Sequence, residues 1–153
     1  MAQRLVLDYA TLGAKPAEAD LRTLPLPLCD GGDAYSDPNV GTFAKLIEAA
    51  SPIIVATPVY NYDVNAALKN LIELTGSAWE GKIVGFICAA GGAASYMSVM
   101  AMANSLMLDF RCLIIPRFVY GMSGDFGANL QPGDELAVRI HQLAEESLKI
   151  RRD

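Results

Sequence analysis

Histidine is nearly absent from this chain, cysteine is sparse, and no stretch is strongly basic. A lone histidine, His141, and three cysteines in 153 residues are too few for a zinc site, and no Cys-x-x-Cys pair occurs. The thiols of Cys29, Cys88 and Cys112 are odd in number, and Cys88 and Cys112 sit in apolar runs. That usage suits a reduced, cytoplasmic protein in which free Cys acts as a small hydrophobe. Lys and Arg number 12 against 17 Asp and Glu, a net charge of −5. Without clustered cations, neither nucleic acid nor an anionic membrane surface is expected as a partner. No run approaches the roughly 20 apolar residues of a membrane-spanning helix. The opening segment MAQRLVLDYATLG is amphipathic and carries Asp8, unlike a cleaved leader. Also missing are a Gly-x-Ser-x-Gly turn (Gly121-Met122-Ser123-Gly124 has the wrong spacing) and any paired-carboxylate constellation. No catalytic nucleophile, general base or metal ligand is therefore assigned.

What is present is apolar and regularly patterned. Hydrophobic residues make up 52% of the chain, enough for one globular domain over residues 1–153. Leu5, Val6, Tyr9 and Leu12 mark one helix face, closed by Gly13. The segment AEADLRTLPLPL reads as extended, because Pro25 and Pro27 forbid helix. A helix follows over Val40–Ala50, then the strand PIIVA. Asp63 or Asn65 caps a helix running to Gly76. KIVGFICAA and RCLIIPRFVYG are apolar strands, with the Met- and Ala-rich helix SYMSVMAMANSLML between them. GMSGDFGANLQPG is a Gly-rich loop. The last helix starts near Asp134, buries Leu136, Ile140 and Leu143, and has an acidic start and a basic end (Lys149, Arg151, Arg152) suited to its dipole. Helices alternate with strands that are apolar throughout, the pattern of a parallel sheet covered on both faces.

In such sheets ligands bind at the carboxyl ends of strands, near a topological switch point. Two ends stand out. In Thr57-Pro58-Val59-Tyr60-Asn61, Pro58 fixes one φ angle and removes one donor, leaving the other N–H groups, the Asn61 amide and the Tyr60 ring to face a flat ligand with polar edges. In Cys88–Ser95, Gly91 and Gly92 let the backbone approach a ligand closely. Together the two loops make a slot for a planar heteroaromatic ring. Trp79 is expected at a subunit contact, His141 in solvent, Lys69 and Asn70 in structural bonds to loop carbonyls, and the methionines in packing.

The stretch TPVYNYDVNAALKN closely resembles the NADPH-dependent FMN reductase family of flavodoxin-like proteins. That family shows Thr-Pro-x-Tyr-Asn, a short spacer, then Ala-Leu-Lys-Asn. Thr57, Pro58, Tyr60, Asn61, Ala67, Leu68, Lys69 and Asn70 all match, and DLRTLPLPL and the Gly-Gly turn carry a weaker likeness. The resemblance implies a flavodoxin-like doubly wound parallel sheet with helices on both faces. It implies FMN and NADPH as cofactors, with Pro58, Val59, Tyr60 and Asn61 on one side of the flavin ring and Ala90, Gly91, Gly92 and Ala93 on the other. Tyr62, Tyr96 and Tyr120 would shape the nicotinamide and substrate side. The helix from Val64 to Leu74 would contribute to a homodimer or homotetramer.

The expected activity is that of an NAD(P)H-dependent flavin, quinone or azo reductase serving a small-molecule electron acceptor. The departures from the family support an alternative, a flavodoxin-like binding or interaction module that has lost tight FMN binding. Tyr62-Asp63-Val64-Asn65-Ala66 replaces the common Gly-Ser-Ile-Pro-Gly. The family's opening apolar strand and phosphate-holding loop find no counterpart in the quoted sequence. In the strand order 2-1-3-4-5 the first strand lies between the second and third, so a gap in the sheet is expected.

Overall fold

The computed structural model describes residues 1–151; Arg152 lies outside the described residues. Its elements in chain order are α1 (Ala2–Thr11), α2 (Pro38–Ala49), β1 (Ile53–Tyr60), β2 (Asp63–Val64), α3 (Ala66–Thr75), β3 (Ile83–Ala90), α4 (Met100–Phe110), β4 (Leu113–Ile114), β5 (Val119–Met122) and α5 (Asp134–Lys149).

β3 is the spine of the sheet. It pairs parallel with β1 on one side and with β4 and then β5 on the other, while β2 folds back antiparallel on the end of β1. The run IVGFICAA earns that place, being buried on both faces from Ile83 to Cys88, as a central parallel strand must be. Its side chains alternate between two cores. Val84, Phe86 and Cys88 meet Phe43 and Ile47 of α2, Leu68 and Leu71 of α3, and Met102 and Leu106 of α4. Ile83 and Ile87 meet Leu5 and Tyr9 of α1 and Leu136, Ile140 and Leu143 of α5. Helices thus cover both faces of an open, mostly parallel sheet. Each fully buried Ile, Leu or Phe contributes about 1.5–3 kcal/mol. Gly85 sits where a Cβ would fall 2.8 Å from Ile54 Cδ1 and 3.3 Å from Leu143 Cδ1, so its lack of a side chain lets α5 lie close to the sheet.

Local chemistry fixes the helix ends. Asp37 accepts the Asn39 N–H at the start of α2, with Pro38 in the first turn. Asn65 caps α3 by accepting the Leu68 N–H at 3.0 Å. On the opposite layer α1 is tied to α5 by a buried 2.6 Å hydrogen bond between Tyr9 Oη and Ser147 Oγ.

Several elements differ from the sequence reading. The strand expected to stop at Ala56 continues to Tyr60. The strand expected over 111–121 is split into β4 and β5, because Pro116 lacks the N–H needed to continue a ladder. The helix expected from Ser95 begins only at Met100, after a stretch of short turns. The segment AEADLRTLPLPL forms no strand; Leu21, Leu24 and Leu26 instead pack against the α2–α3 core. Trp79 is not at the surface: it is 1% exposed within the chain's own core, and its Nε1–H donates to Thr75 Oγ1 at 2.8 Å. His141 is half-covered, with Nδ1 3.4 Å from Asp8 Oδ1.

The outer edge of β1 carries no partner strand before Val59. A groove of about 560 Å³ runs along it, lined by residues of both helical layers.

Candidate functional site

The site lies where β1, β3 and β5 end together. Pro58 stands opposite Ala89 in the β1–β3 register, and Ala89 and Ala90 stand opposite Gly121 and Met122 of β5. Three chain segments therefore leave the sheet side by side, and the sheet itself brings the Pro58–Asn61 and Ala90–Ala93 loops next to each other.

The first loop is a two-residue hairpin turn. Tyr60 pairs with Asp63 and Val59 with Val64, while Asn61 and Tyr62 take φ values of 50° and 66°. Positive φ at both central residues matches the twist of a tight hairpin. Asn tolerates that region, whereas a bulky Tyr there is uncommon and costs local strain. The turn leaves Tyr60 63% and Tyr62 56% exposed, two aromatic faces held out on a rigid ribbon. Beneath it, buried Thr57 Oγ1 donates to the Pro58 carbonyl at 3.0 Å and accepts from Asn65 Nδ2 at 2.7 Å. Asn65 therefore locks the β1 end to the α3 N-terminus through one side chain.

The second loop is held from the β5 side. Tyr120 Oη–H donates to the Gly92 carbonyl at 2.6 Å, and Ser123 Oγ–H reaches the Gly91 carbonyl at 3.4 Å. Asp125 supports the end of β5 by accepting the Met122 N–H at 2.7 Å. A Cβ built at Gly91 or Gly92 would meet nothing within 4 Å. The space above these residues is thus open, and their bare backbone faces it. Tyr96, Phe118 and Tyr120 form an aromatic triad with centroids 5.3–5.8 Å apart, edge-on at Tyr120 and tilted between Tyr96 and Phe118, which fixes the Tyr96 ring beside the loop. Tyr120 is 3% exposed and Tyr96 49%, so Tyr120 braces the loop while Tyr96 presents a face to solvent.

These groups fit the ring of a flavin. They supply backbone donors and acceptors from two adjacent strand ends, an unobstructed approach over Gly91 and Gly92, and exposed aromatic rings at the rim. Sequence reasoning had marked both loops. It missed the bracing role of Tyr120 and Ser123, and the only available signal was that Tyr120 lay inside an apolar strand. Asn70 proves structural, as expected. Its Oδ1 accepts the Cys29 N–H at 2.8 Å and its Nδ2 donates to the Pro27 carbonyl at 2.9 Å, pinning the Pro-rich loop to α3. Lys69 pairs with Glu73 one turn on, at 2.5 Å.

Comparison with known proteins places the chain in a family and a fold. The family model for NADPH-dependent FMN reductase matches residues 1–127. An NAD(P)H-dependent FAD/FMN reductase of Geobacillus thermodenitrificans is 27% identical over 83% of this chain and 70% of its own length. An NADPH azoreductase of a Bacillus species is 26% identical over 94% of this chain and 81% of its own. Among solved structures, the flavoenzyme NAD(P)H:acceptor oxidoreductase of Paracoccus denitrificans superposes with a TM-score of 0.71 at 18% identity, over 97% of this chain and 88% of the other.

Proposed function

Because the chain belongs to the NADPH-dependent FMN reductase family, we propose that it takes electrons from a reduced nicotinamide and delivers them, through a flavin seated between the two loops, to a small-molecule acceptor such as free flavin, a quinone or an azo compound. The observation that carries this reading is the Pro58–Ala89 register, which sets the hairpin and the Gly91–Gly92 loop side by side at one sheet end.

When bound, FMN would supply the hydride-accepting chemistry. The chain's own residues bind, orient and shape. Backbone groups of Pro58–Asn61 and Ala90–Ala93 hold the polar edges of the ring. The missing Cβ atoms at Gly91 and Gly92 let the ring lie against the backbone. Tyr60, Tyr62 and Tyr96 border the open face, where a nicotinamide or a planar acceptor stacks. Asp63 adds a negative charge at that mouth. Hydride transfer between stacked rings requires no general base, in keeping with a site built of backbone and aromatic groups.

We also read the exposed side of α4 and the turn before it, with Met97, Met100, Met107 and Leu108 all at least 39% exposed, as the contact face of a homodimer. Cys29, Cys88 and Cys112 form no disulfide with one another among the described residues, and two of them are buried, which supports a reducing, cytoplasmic setting.

The reading is tested by titrating the protein with FMN and following quenching of flavin fluorescence. Tyr60→Ala, and Asn61→Gly, which keeps the turn but removes the amide, should each weaken binding about tenfold. Unchanged affinity in both variants would move the flavin away from this corner.

A further inference from the structure

We propose that Tyr62 selects the electron acceptor: its ring is the surface on which a flat aromatic acceptor, such as a quinone or an azo compound, stacks. The inference rests on the flavin reading above and adds to it the side chain that chooses the second substrate.

The first observation is strain. Among the described residues, the non-glycine positions with positive φ are Asn61, Tyr62, Arg111, Asn129 and Leu130. Arg111 is the left-handed C-cap of α4, an ordinary helix ending. Asn129 and Leu130 lie on the loop after β5, whose Phe126 packs into the α1–α5 layer. That leaves Tyr62 as the bulky strained residue on the hairpin of the slot. At φ 66° it holds the second central position of the turn, where glycine meets no steric penalty and a residue with a Cβ does. Strain of this kind persists where the surrounding structure over-determines it, and it clusters at ligand clamps.

The second observation is that the ring has no use inside the fold. The chain has six tyrosines. Tyr9 bonds Ser147, Tyr35 meets the Cys29 thiol, Tyr120 holds the Gly92 carbonyl, and Tyr96 stacks with Phe118 and Tyr120. Tyr60 and Tyr62 have neither a hydrogen bond nor a ring contact of their side chains among the described residues, and neither joins a core cluster. Tyr60 precedes the turn and carries no positive φ. Tyr62 is therefore the residue whose ring strains the backbone and gains no internal contact.

The third observation is rigidity. Val64 is part of the α2–α3 core and Val59 packs against it. Asp63 Oδ1 accepts the Val64 N–H at 2.7 Å, and Asn65 caps α3. The backbone, not the ring, thus fixes where Tyr62 stands. Pro58 is level with Ala89, so Tyr60 and Gly91, each two residues further on, leave the sheet at the same height. The tip of the turn stands just past them, at the rim of the slot.

The chemistry of the two substrates assigns the ring to the acceptor. A nicotinamide arrives on a dinucleotide, whose remote groups supply binding energy of their own. A small aromatic acceptor has little beyond its ring system, so a site that takes it must offer a stacking face. Reduction of a quinone to the hydroquinone takes two electrons and two protons. NADPH supplies both electrons and one proton as hydride, leaving NADP⁺, and solvent supplies the second proton.

The test uses the FMN-loaded protein freed of unbound flavin, with NADPH and two acceptors. Menadione is a planar naphthoquinone; ferricyanide is an octahedral anion with no face to stack. In Tyr62→Gly the KM for menadione should rise about five- to tenfold, the loss lying in KM and not in kcat. The ratio of kcat/KM for menadione to that for ferricyanide should fall by the same factor. The FMN Kd should stay within about twofold, and the thermal midpoint should hold or rise, because glycine relaxes the turn. Tyr62→Phe, which keeps the ring, should keep the menadione KM within about twofold. An unchanged acceptor ratio with FMN bound normally overturns this proposal alone. So does a lowered thermal midpoint in Tyr62→Gly, which would make the ring a packing group, or an NADPH KM that rises equally with both acceptors, which would give the ring to the nicotinamide. A wild type that takes up no FMN overturns the flavin reading, and this proposal with it.

Discussion

Tyr120 donates its phenolic proton to the carbonyl of Gly92 across 2.6 Å, so the third strand end of the site holds the loop of the second. The bond matters because Gly91 and Gly92 have no side chains of their own to fix their positions. Removing the hydroxyl in Tyr120→Phe leaves the ring in its triad with Tyr96 and Phe118 and frees only the loop. A net hydrogen bond of about 0.5–1.5 kcal/mol predicts FMN binding weakened about two- to tenfold, read by flavin fluorescence. The thermal midpoint of the FMN-free protein should fall by only a few degrees.

Burial pushes the Cys88 thiol from 9.0 up to about 12. In the unfolded chain the thiol loses its proton near 9, while in the folded chain it keeps it. The folded state therefore binds more protons between these values, and stability must fall as pH rises through that window. Tyr9, also raised by burial, acts in the same direction. Thermal midpoints measured across the alkaline range should be flat below pH 9 and then decline, and Cys88→Ala should make the decline shallower. An identical slope in the variant would remove Cys88 as its source.

The α4 face gives a prediction about assembly. Met100 and Leu108 are 50% and 74% exposed, more apolar area than an isolated helix face leaves in water without cost. Light scattering should give twice the 16.4 kDa chain mass for the wild type. Met100→Glu with Leu108→Glu should give a single chain mass, since two carboxylates at a buried contact are strongly unfavourable. A wild-type monomer would assign this face to another role.

The parts of the fold legible in the sequence were those in which one local signal dominated. The unbroken apolar run of β3 announced a central strand, Asn65 and Gly76 bracketed α3, and Asp134 opened α5. Asn70 was expected to be structural, but its partners, Cys29 and Pro27, lie far upstream and only folding brings them to it. The hairpin escaped because Asn61-Tyr62 lacks the glycine that marks most such turns, although Asn in the first position flanked by Val59 and Val64 is a weaker form of the same signal. Trp79 was misplaced because a loop position near Gly76 says nothing about what folds over it; its burial is decided by α2, α3 and α4 together. The open edge of β1 could be expected only from the family's strand order, and its depth between two cores emerges only when both helical layers are packed.

The central claim, that this chain carries electrons from a nicotinamide to flavin at the paired strand ends, is tested most directly by mixing the purified protein with FMN under anaerobic conditions and adding NADPH while recording the visible flavin spectrum. The account predicts that flavin fluorescence is quenched on mixing and that the flavin absorbance bleaches on addition of NADPH, both more weakly in Tyr60→Ala. Fluorescence that stays unquenched and absorbance that stays unbleached, with FMN well above micromolar, would contradict it.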